Sequence, residues 1–163
     1  MTRLLAALRT LVYVIAFVWL WGWLALAVRD GFERGQLGAA WRPVGLLLMA
    51  AGASIVLWCL VSFVVVGRGT PAPFDAPRAL VPAGPYRWVR NPMYLGGFAV
   101  LAGFGLWQRS LAMVLFVVPV ALGFHLFVLS YEEPTLARRF GDEYVAYRAR
   151  VRRWLPVLPR DVS

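Results

Sequence analysis

The chain is poor in the residues that build metal and thiol chemistry. Its 163 residues include one cysteine, Cys59, and one histidine, His125. A lone cysteine excludes an intramolecular disulfide and a thiolate zinc cluster, and one histidine beside it leaves no expectation of a bound metal. Lysine is absent, and all seventeen basic residues are arginine, a usage that reflects genome composition more than mechanism. Acidic residues number eight, and charged residues make up 15% of the chain. An ordinary soluble domain carries about a quarter charged residues, so that class is disfavoured. No G-x-x-x-x-G-K-[ST] phosphate loop, H-E-x-x-H zinc pair or G-x-S-x-G elbow occurs. The triplets Gly67-Arg68-Gly69 and Gly103-Phe104-Gly105 follow no strand pattern and lack a third glycine at the right offset, which argues against a dinucleotide-binding fold.

What the chain does have is apolar surface: 61% of it is hydrophobic, with eight tryptophans, at a net charge of +9. Disorder is excluded by that hydrophobicity. A nucleic-acid partner would suit the charge but not the aliphatic and tryptophan content. Four long runs lack Asp, Glu and Arg: Thr10–Val28, Pro43–Gly67, Asn91–Gln108 and Ser110–Tyr131. At about 1.5 Å per residue they measure roughly 27–38 Å, matching a hydrocarbon core of about 30 Å. The expected fold is therefore all-α, one polytopic membrane domain over residues 1–163 with four transmembrane helices. Arg3, Arg9 and Ala25-Leu26-Ala27 resemble a signal peptide, but the run is long and holds Trp19, Trp21 and Trp23, which favours a retained span. Gly96, Gly97, Gly103 and Gly105 in the third run allow a neighbouring helix to approach closely, and the link Gln108-Arg109-Ser110 implies a tight hairpin. With both termini cytoplasmic, thirteen of the seventeen arginines fall on the inner side, the arrangement the positive-inside rule selects.

Polar groups gather in two cytoplasmic segments. The loop from Arg68 to Arg90 contains five prolines, which excludes a helix and favours a semi-rigid extended strap. Towards the third span it becomes rich in hydrogen-bonding groups: Tyr86, Arg87, Trp88, Arg90, Asn91 and Tyr94 sit beside a helix N-terminus that favours an anion. In the tail, Pro134 suits the first turn of a new helix, and Tyr144, Tyr147, Val151 and Trp154 recur at spacings of three and four. With Arg148, Arg150, Arg152 and Arg153 on the remainder, this reads as an amphipathic cytoplasmic helix suited to an anionic lipid surface. Glu132 and Glu133 are unfavourable at an anionic headgroup layer and call for a cationic partner, either Arg90 or a positively charged ligand. His125, the one titratable group inside a span, precedes Glu132 by seven residues and so shares its helix face. Cys59 reads as a small buried apolar residue.

GPYRWVRNPMYLGG (84–97) and EEPTLARRFGDEYVAYRARVRRWLP (132–156), separated by a hydrophobic hairpin, resemble the isoprenylcysteine carboxyl methyltransferase and phospholipid methyltransferase superfamily of integral membrane enzymes. The resemblance implies S-adenosylmethionine as cofactor, enclosed by the two segments at the cytoplasmic face, and an apolar small-molecule or lipid substrate reached from the bilayer. It implies that Arg90, Asn91 and Tyr94 hold the amino-acid end of the cofactor. Glu132 and Glu133 would meet its positive charges, and Tyr144 and Tyr147 would line the adenosine pocket. Carboxyl, amine and thiol methylation all stay open, with Glu133 as proton acceptor for an amine or Arg148 orienting a carboxylate. The family usually has R-H-P-x-Y in the first segment, and Asn91 here replaces its imidazole with a neutral amide. A sterol-reductase-like NADPH enzyme, which shares such a segment, and a non-catalytic four-helix membrane scaffold are the alternative readings.

Overall fold

The computed structural model describes residues 3–33, 36–63, 65 and 80–157; most of the proline-rich strap, at 66–79, and the C-terminal residues 158–163 lie outside them. The described chain folds as α1 (Arg3–Phe32), α2 (Trp41–Ser62), α3 (Pro92–Trp107), α4 (Leu111–Phe127) and α5 (Glu133–Arg150). A single 3-10 turn, Gly84–Arg87, precedes α3, and a π-helical stretch, Val128–Glu132, joins α4 to α5. No strand occurs among the described residues, which carry one isolated bridge between Gln36 and Ser110. The 3-10 turn departs from a fully extended strap, because Pro85 sits in its first turn, where no amide hydrogen is missed.

Three helical segments among the described residues are long and apolar enough to cross a membrane: Leu11–Phe32, Trp41–Ser62 and the start of the continuous helix from Leu111 to Arg150. At 16 residues α3 is shorter, about 24 Å by helical rise. Their outward faces are apolar, with Trp19, Leu47 and Val118 each about two-thirds exposed or more. Such a surface suits hydrocarbon rather than water. Inside, Ala25, Leu101, Met113 and Val120 form a core with Trp21, Phe98, Phe104 and Phe124 around it.

Helices α2 and α3 approach one another through paired glycines. A methyl group on Gly52 would lie 2.5 Å from the Gly96 carbonyl oxygen, and one on Gly45 would lie 2.6 Å from that of Gly103. Both pairs are spaced by seven residues, so they recur on one face of each helix and hold the antiparallel backbones in contact along two turns. The sequence singled out Gly96 and Gly103; their partners Gly45 and Gly52 emerge only from the packing. On the far side of α3, Ser110 Oγ accepts a hydrogen bond from the Met113 amide at 3.1 Å and caps α4, closing the expected hairpin. Leu37 is fastened to that turn, its amide donating to the Arg109 carbonyl at 2.8 Å while Arg109 Nε donates to the Leu37 carbonyl at 2.8 Å.

Replacing Gly52 with valine is expected to force α2 from α3 and to cost about 1–3 kcal/mol. Gly97, with open space around its Cβ position, should accept alanine without loss. Thermal unfolding of the two variants in the same detergent checks this, and equal stability would contradict the packing.

Candidate site at the strap and tail

The strap and the tail are zipped together. The Arg90 amide donates to the Arg152 carbonyl at 2.9 Å, and the Val157 amide to the Trp88 carbonyl at 2.8 Å. Asn91 Nδ2 donates to the Arg153 carbonyl at 3.3 Å, and the Tyr147 hydroxyl to the Tyr86 carbonyl at 2.8 Å. These bonds bring residues some sixty positions apart into one surface. Tyr144, Tyr147 and Val151 are buried there, with Leu80, Leu136, Phe140 and Val157 packed around them. The aromatic face expected to lie on lipid is therefore covered largely by the protein itself. Trp154 does not share that face, because the helix ends at Arg150, Val151 is extended at φ −115° and ψ 125°, and the chain turns back.

Two features of the α4–α5 junction aim the adjacent carboxylates. Pro134 lacks the amide that would bond the Ser130 carbonyl, and its ring presses on that turn, so the helix widens into the π stretch just before it. Seven residues later Gly141 adopts φ 51° and ψ −128°, a conformation that a β-carbon disfavours strongly, and redirects the segment that carries Tyr144 and Tyr147. Glu132 Oε2 accepts a hydrogen bond from the Tyr94 hydroxyl at 2.8 Å. Glu133 turns elsewhere: Arg153 donates Nε to Oε1 at 2.7 Å and Nη2 to Oε2 at 2.9 Å, a two-pronged pair. Arg90 Nη1 adds a second cation 3.2 Å from Oε1.

These environments push the carboxyls apart. Burial raises Glu132 from its ordinary value, and neighbouring Glu133 adds to the rise against the opposing Tyr94 bond. Burial would raise Glu133 too, but the Arg153 hydrogen bonds and the charges of Arg90, Arg153 and Arg148 outweigh it and hold that carboxyl low. Arg153 is raised in turn, chiefly by its bonds to Glu133. Tyr144 and Tyr147 are raised by burial.

Arg90 is the residue whose hydrogen-bonding capacity exceeds what the protein supplies. Its side chain is 10% exposed, yet Nε is buried without a hydrogen-bond acceptor, and Nη1 meets Glu133 Oε1 at 3.2 Å as an ion pair without an aligned hydrogen bond. Buried donors left in this state are costly and mark a place where an acceptor belongs. A ligand carboxylate beside Arg90 and a ligand cation beside Glu132 would each meet a complementary group.

Of the residues expected to act together, Arg90, Asn91, Tyr94, Glu132, Glu133, Tyr144 and Tyr147 are gathered at this junction. Arg148 stays exposed on α5 and reaches Glu133 through its charge. Arg153 carries the contact with Glu133 that its position among four tail arginines did not distinguish. The pairing of Trp154 Nε1 with His125 Nδ1, at 2.9 Å, was equally hidden, being 29 residues apart in the chain.

A lowered Glu133 contributes stability that is fully present above its unfolded value of about 4.3 and is lost as pH falls through the lower folded value. Glu133→Gln should lack that acid-side slope and lose about 3 kcal/mol at neutral pH, because Arg90 and Arg153 remain without their counter-charge. Unfolding midpoints from pH 7 down to pH 3 measure both effects, and matching slopes for the two proteins would count against the ion cluster.

Residues 41–143 match the phospholipid methyltransferase family, from the start of α2 through the strap, the α3–α4 hairpin and both glutamates into α5. A protein of Haemophilus influenzae described as uncharacterized is 38% identical over 63 residues, which are the whole of that protein and 39% of this chain. No solved structure matches the chain. The family match spans well over half of the sequence and includes the strap and carboxylates whose interlock forms the candidate site; the chain belongs to the phospholipid methyltransferase family.

Proposed function

We propose that the protein is a membrane methyltransferase that uses S-adenosylmethionine to methylate a lipid-like or isoprenoid small molecule at the cytoplasmic face. The family is one of membrane methyltransferases, and the apolar helices fit a bilayer. The observation that carries the cofactor is a nearly buried arginine whose Nε lacks an acceptor, gathered at one junction with the half-buried Glu132 that accepts from Tyr94.

In this reading Arg90 binds the carboxylate of the cofactor's amino-acid end, with Asn91 and Tyr94 beside it, and Glu132 offsets its positive charge. Tyr144 and Tyr147 line the adenosine side. The cofactor supplies a methyl group already activated on a sulfonium, so the protein has to orient the acceptor and exclude water. Glu133 is committed to Arg90 and Arg153 and acts as the anchor of the site. Proton acceptance from an amine acceptor, expected of Glu133, passes to Glu132, whose raised affinity for a proton suits it. Arg148, exposed and still carrying its donors, is available to orient a carboxylate acceptor.

The same reading makes α3 a fourth crossing. Its glycine pairing with α2 and the three-residue link to α4 support that reading. Both termini, with the strap and tail, then face the cytoplasm.

Calorimetry of the purified protein with S-adenosylhomocysteine and with NADPH tests the cofactor. We expect binding of the first alone, weakened about tenfold or more in Arg90→Lys, which keeps the charge but loses the planar donor set. The exposed Arg150→Lys should bind as the wild type does. Binding of NADPH alone would overturn the methyltransferase reading, and binding of neither would favour a scaffold.

A further inference from the structure

His125 is used by none of the contacts that hold the site together, yet it is built into the site's edge. It sits half-buried on α4, and Trp154, delivered by the returning tail, donates its indole N–H to Nδ1 at 2.9 Å. An indole nitrogen is a donor only, so Nδ1 accepts and the ring's proton resides on Nε2. Nε2–H has no hydrogen-bond acceptor among the described residues. Trp154 in turn has its ring centroid 6.5 Å from that of Tyr94 and 6.3 Å from that of Phe98, which links the imidazole to the hydroxyl that bonds Glu132. Nearby on α4 and the π-helical stretch, Leu122, Leu126 and Leu129 are 40–56% exposed. An N–H donor of fixed tautomer is thus offered at the lipid-facing edge of the candidate site, about two turns below Glu132.

We propose that His125 is a positioning residue for the methyl acceptor: Nε2–H donates to a carbonyl or carboxylate oxygen of an apolar substrate's headgroup, and Trp154 fixes the tautomer that makes this possible. This rests on the methyltransferase reading for the identity of the acceptor. A protonated amine headgroup has no lone pair for this donor, whereas an oxygen head satisfies it and is favoured by the arginines of the same face. Holding the head at His125 limits its rotation relative to Glu132 and Arg90, which is the form of catalysis that methyl transfer most requires.

Because His125 is the only histidine, protein labelled with nitrogen-15 histidine gives one imidazole spectrum. In phosphatidylcholine nanodiscs the spectrum is expected to show the Nε2–H form. Adding dodecanoate should move the Nε2 proton saturably downfield, and adding dodecylamine should not. His125→Asn retains an acceptor in the place of Nδ1 but has no donor that reaches the Nε2 position. It should bind dodecanoate about tenfold more weakly while its affinity for S-adenosylhomocysteine is unchanged. His125→Gln, whose amide nitrogen reaches towards the Nε2 position, should recover part of the loss. An Nδ1–H tautomer, an Nε2 proton that neither amphiphile moves, or dodecanoate affinity unchanged in His125→Asn would each overturn the proposal; an unmoved proton already in a hydrogen bond would assign the donor to bilayer lipid. Failure of the wild type to bind S-adenosylhomocysteine would instead remove the methyltransferase reading, leaving the dodecanoate result to stand by itself.

Discussion

The carboxylate of Glu133 is the point from which the strap-and-tail end of the molecule is organised. A buried carboxylate is several kilocalories per mole out of balance unless cations and donors surround it. Its two partners come from opposite directions, Arg90 from the strap before α3 and Arg153 from the chain that returns after α5. Satisfying one charge therefore draws two distant segments onto the same helix start. The backbone pairs between Trp88–Arg90 and the tail, and the burial of Tyr144 and Tyr147, are consequences of that meeting. An acidic residue that seemed out of place among arginines is what makes the arginines converge.

Neighbouring side chains on a helix point about 100° apart, yet Glu132 and Glu133 both find partners within the protein. The widened turn before Pro134 shifts the register of the residues that follow it relative to α4, and it lies beside the candidate site. The difference follows from surroundings rather than residue type: one glutamate is paired with guanidinium groups, while the other accepts a hydrogen bond from a tyrosine hydroxyl. Two identical side chains adjacent in sequence thus differ in their preference for a charge.

Much of this was legible in the residues. Uncharged runs located α1 to α4 to within a few residues at most ends, and the three-residue link announced the α3–α4 hairpin. Arg90, Asn91 and Tyr94, with the paired glutamates, were legible as a polar cluster because such groups are conspicuous beside apolar spans. What escaped had no local signal. Gly45 and Gly52 are two small residues in a long apolar run, and only the opposing backbone shows why they are glycine. Arg153 looked like its neighbours because the end of α5, not its own identity, decides which tail arginine can reach Glu133. The helical period carried Trp154 onto the Tyr144 face, whereas the extended turn at Val151 sends it to His125. Long-range pairings of this kind depend on where a helix stops, and helix ends are weakly encoded.

The glycine contacts between α2 and α3 have a mechanical consequence. Atoms of opposing main chains already touch, so neither helix can tilt or slide towards the other, and the pair behaves as a stiff beam. Arg90 and Asn91 are rooted at one end of that beam, while the hairpin turn and the Leu37 fastening brace the other. Any opening of the candidate site then falls to the returning tail and the outer helices, which would move against a frame that does not give.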